Sequence, residues 1–162
     1  TAPEQLTGDR YLVLAGVQDP GNVGTIWRTA DAFETDGLLL TNACADPFGW
    51  KTIRATMGAA FRMPVWEVTP EQLATLTTQS GLPLLATALR ADTVPLQAVH
   101  APRTAVVIGS EGNGVSETVL RLCRETVCIP MNPRCESLNA AAAAAVVLWE
   151  IYRNRCSGTE EE

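Results

Sequence analysis

The sequence is short of several residue types, and each shortage removes a class of function. It holds one histidine, His100. A Ser-His-Asp hydrolase would hang on that single imidazole in a Pro-flanked loop, with no nucleophile elbow to serve it. The five cysteines Cys44, Cys123, Cys128, Cys135 and Cys156 are odd in number and contain no C-x-x-C pair. A disulfide framework and a structural zinc site are therefore disfavoured, no metal is expected, and a reducing cytoplasm is the expected setting. No apolar run approaches the roughly 20 residues that span a bilayer, so no membrane is expected either. Lysine is almost absent: Lys51 stands alone beside eleven arginines.

Formal net charge is −6, which counts against a protein that grips nucleic acid by bulk electrostatics. Three of the negative charges sit in the terminal Glu160, Glu161 and Glu162. Arginine's planar fork suits phosphate, so local clusters are the route left for binding an anionic polymer.

What is present fits one domain. The 162 residues, 46% of them hydrophobic, suffice for one well-buried core and are short for two. The first residue is Thr1, and the numbering is expected to begin inside a longer chain. Residues 1–10 read as a linker or the remnant of an upstream segment, 11–156 as the domain, and 157–162 as an acidic tail.

Short apolar runs alternate with stretches of helical spacing. Residues 11–16, 38–40, 64–68, 84–88, 104–108 and 126–129 read as strands bounded by turn residues. Val23, Ile26, Trp27, Ala30 and Phe33 recur at helical spacing behind Asn22, the expected N-cap. Helices are also expected over 70–80, stopped by Gly81, over 116–123, and over the Ala-rich 137–155. The alanine run 140–145 suggests a helix packed closely on the sheet. This β/α order predicts a mostly parallel sheet with helices on both faces, and a ligand site at the carboxyl ends of its strands.

Three stretches fall at such strand ends. In residues 106–116, VVIGSEGNGVS, a buried strand runs into Gly109, Gly112 and Gly114 with Glu111 among them. A dinucleotide fingerprint would need glycine where Glu117 stands, and a Walker loop would need lysine where Val115 stands. On its own the stretch is as well explained by a turn. In residues 129–139, IPMNPRCESLN, a Pro-bounded loop delivers Ser137, Leu138 and Asn139 to a helix start. Free amides there can bind a nucleoside cofactor, or Ser137 can simply cap the helix. Residues 19–34, DPGNVGTIWRTADAFE, place Asn22, Arg28 and Asp31 from a strand end along a helix, where a solvated arginine is the plain alternative.

Taken together, the order and spacing of the three stretches resemble the SpoU or TrmH branch of the SPOUT superfamily of methyltransferases. The resemblance runs from Tyr11 to Tyr152 and includes the connecting residues 54–59, RATMGA, followed by Pro64. It implies a deep trefoil knot in the C-terminal part of the domain, a rare exception to ordinary connection rules. It also implies S-adenosylmethionine as cofactor, held by Gly109, Ile129 and Leu138 with Thr87, Ala88, Glu111, Gly112, Met131 and Ser137 nearby. The implied reaction methylates the ribose 2′-hydroxyl of a nucleotide in tRNA or rRNA, in a homodimer whose site is completed across the interface. The long C-terminal helix would supply part of that contact.

The resemblance assigns Arg28 to activating the hydroxyl. A guanidinium stays protonated at ordinary pH, so a charge clamp on phosphate and developing alkoxide is the better physical role. Asn22 and Asn139 are expected to position substrate, Glu111 to orient Arg28 or the loop, and Arg54 and Arg62 to meet phosphate. One departure is Pro133, where the family pattern often has glycine. The rival reading is a non-catalytic knotted module that binds RNA or cofactor.

Overall fold

The computed structural model describes residues 2–110, 112–135 and 137–157. In chain order the elements are β1 (Arg10–Ala15), α1 (Pro20–Ala32), β2 (Gly37–Thr41), α2 (Trp50–Ala55), β3 (Val65–Glu67), α3 (Pro70–Ser80), β4 (Leu84–Thr87), β5 (Val94–Pro95), β6 (Thr104–Gly109), α4 (Glu117–Leu120), β7 (Glu125–Cys128) and α5 (Ala140–Ser157). The seven strands form one sheet in the order β3-β2-β1-β6-β4-β7-β5, and every pairing is parallel.

Both faces are covered, and the side-chain alternation of β1 shows how. Leu12 and Leu14 face a core completed by Ile26 and Trp27 of α1 and Ala144 and Val147 of α5. Tyr11, Val13 and Ala15 face the opposite core, with Leu73 and Leu76 of α3 and Val119 of α4. A strand buried on both sides must be apolar throughout, which is why 11–15 carries no polar alternation. Each fully buried leucine contributes about 1.5–3 kcal/mol.

Helix starts differ from the sequence reading in two places. Asp19, not Asn22, caps α1, its Oδ1 accepting from the Asn22 amide at 3.1 Å. Pro20 stands at the first helical position, where its fixed φ suits the helix, so the expected turn is the helix's first turn. The Asn22 side chain is thereby freed from capping. At the other end α5 begins at Ala140 rather than 137, because the Asn139 Oδ1 accepts from the amides of Ala141 and Ala142 at 2.8 and 3.3 Å. Capping thus falls to Asn139, not Ser137. The expected 116–123 helix is only Glu117–Leu120, capped by Ser116. By contrast α3 has its expected bounds, with a Thr69–Gln72 capping box and Gly81 in the left-handed region at φ 61°.

Helix α5 packs on both α1 and β6, and Ala140 and Ala144 of the alanine run are buried in the core shared by α1 and that face of the sheet. On α1, Gly24 permits a close crossing by α2: a Cβ there would lie 2.4 Å from the Thr52 carbonyl oxygen and 2.5 Å from the Ala55 Cβ. Buried Trp27 donates its Nε1 proton to the Met63 carbonyl at 3.0 Å, fixing the turn after α2. Among the described residues, no helix is long and apolar enough to cross a membrane.

Candidate active site

Parallel strands put their carboxyl ends on one edge, and two adjoining cavities open there, sharing Ser110, Gly114 and Ala140. The smaller, about 260 Å³, lies between the ends of β4, β6 and β7 and the 129–139 loop. Its walls include Thr87, Ala88, Gly109, Ile129, Met131, Ser137 and Leu138, all named from the sequence as cofactor contacts, together with Leu89, Ile108, Cys128 and Ala143, which were not. The larger, about 650 Å³, is the more polar of the two, with Gln18, Asp19, Asn22, Asn42, Asn113, Ser116 and Thr118 on its walls beside Ala15, Val17 and Gly112.

The glycine loop divides the two cavities and folds tightly on itself. The Gly114 amide donates to the Ser110 carbonyl at 2.9 Å, the Asn113 amide donates to the Ser110 Oγ at 3.2 Å, and Gly114 has φ 61°. A Cβ on Gly109 would lie 2.3 Å from the Gly114 carbonyl carbon, so no larger residue fits without moving the loop. The loop's far end is tied to β2: the Asn42 Nδ2 donates to the Ser116 Oγ at 3.0 Å, across 74 positions of sequence. Asn42 and Ala43 both occupy the left-handed region, at φ 57° and 59°. Asparagine tolerates that conformation, whereas alanine at 43 stores about 1–2 kcal/mol of strain.

The other walls are also braced. The Thr93 hydroxyl accepts from the Arg90 amide at 2.7 Å and donates to the Ala88 carbonyl at 3.1 Å, which leaves the Thr126 hydroxyl, 2.7 Å away, as its donor. Arg90 pairs with Glu117 at 3.0 Å, linking the β4 exit to α4, though both groups are largely exposed and the pair contributes little. Within the 129–139 loop, Asn132 accepts from the Arg134 amide on its Oδ1 at 3.0 Å and from the Cys135 amide on its carbonyl at 2.9 Å. Pro133 is therefore the second residue of a tight turn headed by asparagine, the position proline favours, which accounts for the departure at 133.

Among the described residues, Asp19 and Cys128 are the only ionisable groups lining either cavity. Asp19 is engaged as a helix cap. Burial pushes the Cys123 thiol up to about 12 and also raises that of Cys44, so neither offers a thiolate near neutrality. Among the described residues, the walls are thus mostly uncharged groups suited to hold and orient a ligand.

The remaining residues named from sequence are scattered. Arg28 is exposed on α1, outside both cavities, six residues beyond Asn22 and so about 9 Å further along the helix. Arg54 is exposed on α2, its guanidinium 5.6 Å from the Trp50 ring centre. Arg62 is held by Asp31, at 2.8 Å from Nη2 and 2.9 Å from Nε, so its charge is already partnered. Glu111 lies outside the described residues. Asn42 and Ser116 were missed, although an asparagine directly after a parallel strand is itself a signal for a ligand-facing loop.

A parallel sheet covered on both faces, with paired cavities at its carboxyl edge, defines an α/β domain whose loops rather than strands hold the ligand. The chain belongs to the SpoU rRNA Methylase family, whose sequence profile matches residues 9–149. It is 41% identical over 146 residues to an uncharacterized tRNA/rRNA methyltransferase of Synechocystis sp., covering 89% of this chain and 53% of that one. It is 34% identical over 146 residues to the 23S rRNA (guanosine(2553)-2′-O)-methyltransferase RlmP of Bacillus subtilis, covering 90% and 58%. Among solved structures, the AdoMet-bound rRNA methyltransferase of Sinorhizobium meliloti superposes with a TM-score of 0.84 at 35% identity, covering 90% of this chain and 56% of that one. The chain therefore spans between half and three fifths of the length of these relatives.

Proposed function

We propose that the chain is the catalytic domain of an S-adenosylmethionine-dependent methyltransferase acting on the ribose 2′-hydroxyl of a nucleotide in tRNA or rRNA. The observation that carries this reading is the pair of adjoining cavities: an apolar one of nucleoside-like character opening beside a polar one across the 109–114 turn. RlmP, a 2′-O-methyltransferase of 23S rRNA, and the AdoMet-bound rRNA methyltransferase lend it support.

The apolar cavity fits the cofactor in character, since the close approach at Gly109 brings backbone rather than side chain to its wall. When bound, S-adenosylmethionine supplies an electrophilic methyl group on a sulfonium. Gly109, Ile129 and Leu138 would hold it, with Thr87, Ala88, Met131 and Ser137 around them, while Gly112, expected from the sequence as a further contact, lines the polar cavity instead. Asn22, and Asn42 with it, would seat the ribose in the polar cavity so that its 2′-oxygen lies in line with that methyl. Such positioning can lower a barrier by roughly 7–11 kcal/mol. Asn139 acts through the cap it places on α5. The hydroxyl proton passes to water or to the neighbouring phosphate, and a permanently charged Arg28 steadies the forming alkoxide.

Arg28 stands clear of its own cavities, and so the reading includes a homodimer in which the partner subunit presents Arg28 to the site. The trefoil crossing of the 109–114 and 129–139 loops and a cytoplasmic location belong to the same proposal. Calorimetry with S-adenosylmethionine and with its demethylated product should show binding without added metal. Absence of heat at high protein concentration would overturn the reading. Mass spectrometry of 2′-O-methylated nucleotides in RNA from cells with and without the gene identifies the target.

A further inference from the structure

We infer that the outer face of α2 is a stacking platform for single-stranded RNA flanking the target nucleotide, with Trp50 as the base-stacking side chain and Lys51 and Arg54 as its phosphate contacts. This rests on the methyltransferase reading above and adds a recognition surface to it.

The exposed face is unusual in composition. Trp50 is 66% exposed on α2, and Phe48, Met57 and Phe61 in the segments on either side of the helix are exposed as well, in a chain whose other large apolar side chains are mostly buried. Trp50 and Arg54 stand one helical turn apart on the same side of α2. The Lys51 ammonium and the Arg54 guanidinium lie 5.7 and 5.6 Å from the indole centre. The opposite side of α2 is committed to the core, with Thr52 fully buried and Ile53 packed against it. The platform is therefore a surplus face that folding does not use.

Its charge and location point to an occupant. Lys51, the chain's only lysine, and Arg54 concentrate positive charge locally on a protein of net charge −6. An indole flanked by cations matches what single-stranded nucleic acid offers, a flat base beside an anionic phosphate. A second copy of this chain is the competing occupant, but the buried centre of such an interface is depleted of charge, and here two cations sit against the central aromatic ring. The platform also lies at the correct edge. The loop joining β2 to α2 begins at Asn42 on the wall of the polar cavity and is tied to α2 by the Thr52 hydroxyl, which donates to the Asp46 carbonyl at 3.0 Å.

The test titrates the full chain with a uridine decamer and with an abasic decamer of the same length, following tryptophan fluorescence and affinity. Wild-type fluorescence should be quenched by the uridine decamer and not by the abasic one. Trp50→Ala should abolish the quench and weaken binding about tenfold, in line with the loss of one stacked base, and Trp50→Phe should restore the affinity without the quench. Lys51→Ala and Arg54→Ala should each lower the salt slope by about one. Unchanged decamer affinity in Trp50→Ala would overturn the platform. So would a lowered sedimentation mass in that variant with RNA binding intact, which would mark the face as an interface between copies. Cofactor calorimetry on Trp50→Ala separates the two readings, because a failed platform leaves that heat in place while a failed methyltransferase reading removes it from the wild type as well.

Discussion

The two cavities share a wall and differ in nearly everything else. The smaller is enclosed by apolar side chains and backbone at the ends of three strands, and almost every residue on it comes from two continuous stretches, 108–114 and 127–143, plus the end of β4. The larger gathers Asn22 from the first turn of α1 and Asn42, Asn113 and Ser116 from two strand-end loops, which a hydrogen bond joins. A cavity made of backbone is robust to most side-chain changes and vulnerable to any that alters chain path. A cavity made of amide and hydroxyl tips behaves oppositely. In the proposed enzyme, the first suits a cofactor that never varies and the second a substrate that must be recognised.

The sharpest test of this division is Arg28→Ala, expected to cut methyl transfer by about 10²–10³-fold as for loss of a charge-stabilising donor, with cofactor heat unchanged. Loss of both together would break the comparison, because α1 would then be supporting the apolar cavity. Next is Gly109→Ala. Its added methyl must displace the Gly114 backbone, and overpacking of this kind costs roughly 1–3 kcal/mol. Urea unfolding should show the destabilisation, and calorimetry a fall in cofactor affinity of at least about tenfold.

A smaller effect is expected on the polar side. Asn42→Gly removes the bond to Ser116 while keeping the left-handed backbone unstrained. A loss of about 0.5–1.5 kcal/mol should raise KM for RNA roughly two- to tenfold and leave cofactor affinity alone. An equal change in both would show that the shared wall transmits between the cavities. Smallest is a chemical difference between thiols. Cys135 is exposed in the 129–139 loop, whereas Cys123 is partly buried with its pKa raised to about 12. A raised pKa means the reactive thiolate is scarce at pH 8 and appears only as pH nears that value. Peptide mapping after brief alkylation at pH 8 should find Cys135 labelled ahead of Cys123, and cofactor should slow only the former.

The sheet and the apolar cavity were largely legible in the chain itself. The unbroken apolar run 11–15, the strand running into Gly109, and Pro70 and Gly81 bounding a helix are local signals, and local signals survive without knowledge of neighbours. Even the capping detail followed local rules, once Pro20 rather than Asn22 was taken as the helix start. The polar side was not legible. Helix α2 has six residues, too few to display a period, and β5 has two. The Asn42–Ser116 bond and the capture of Arg62 by Asp31 join positions 74 and 31 residues apart, and which distant side chains meet depends on how the sheet brings their loops together. Sequence alone therefore determined six of the seven strands, the bounds of α3 and most of the residues lining the apolar cavity that holds the cofactor in the proposed enzyme. Only the tertiary structure decided that Arg28 faces outward, that Arg62 is already paired and that Trp50 is left uncovered, because those facts are properties of packing between segments rather than of any one segment.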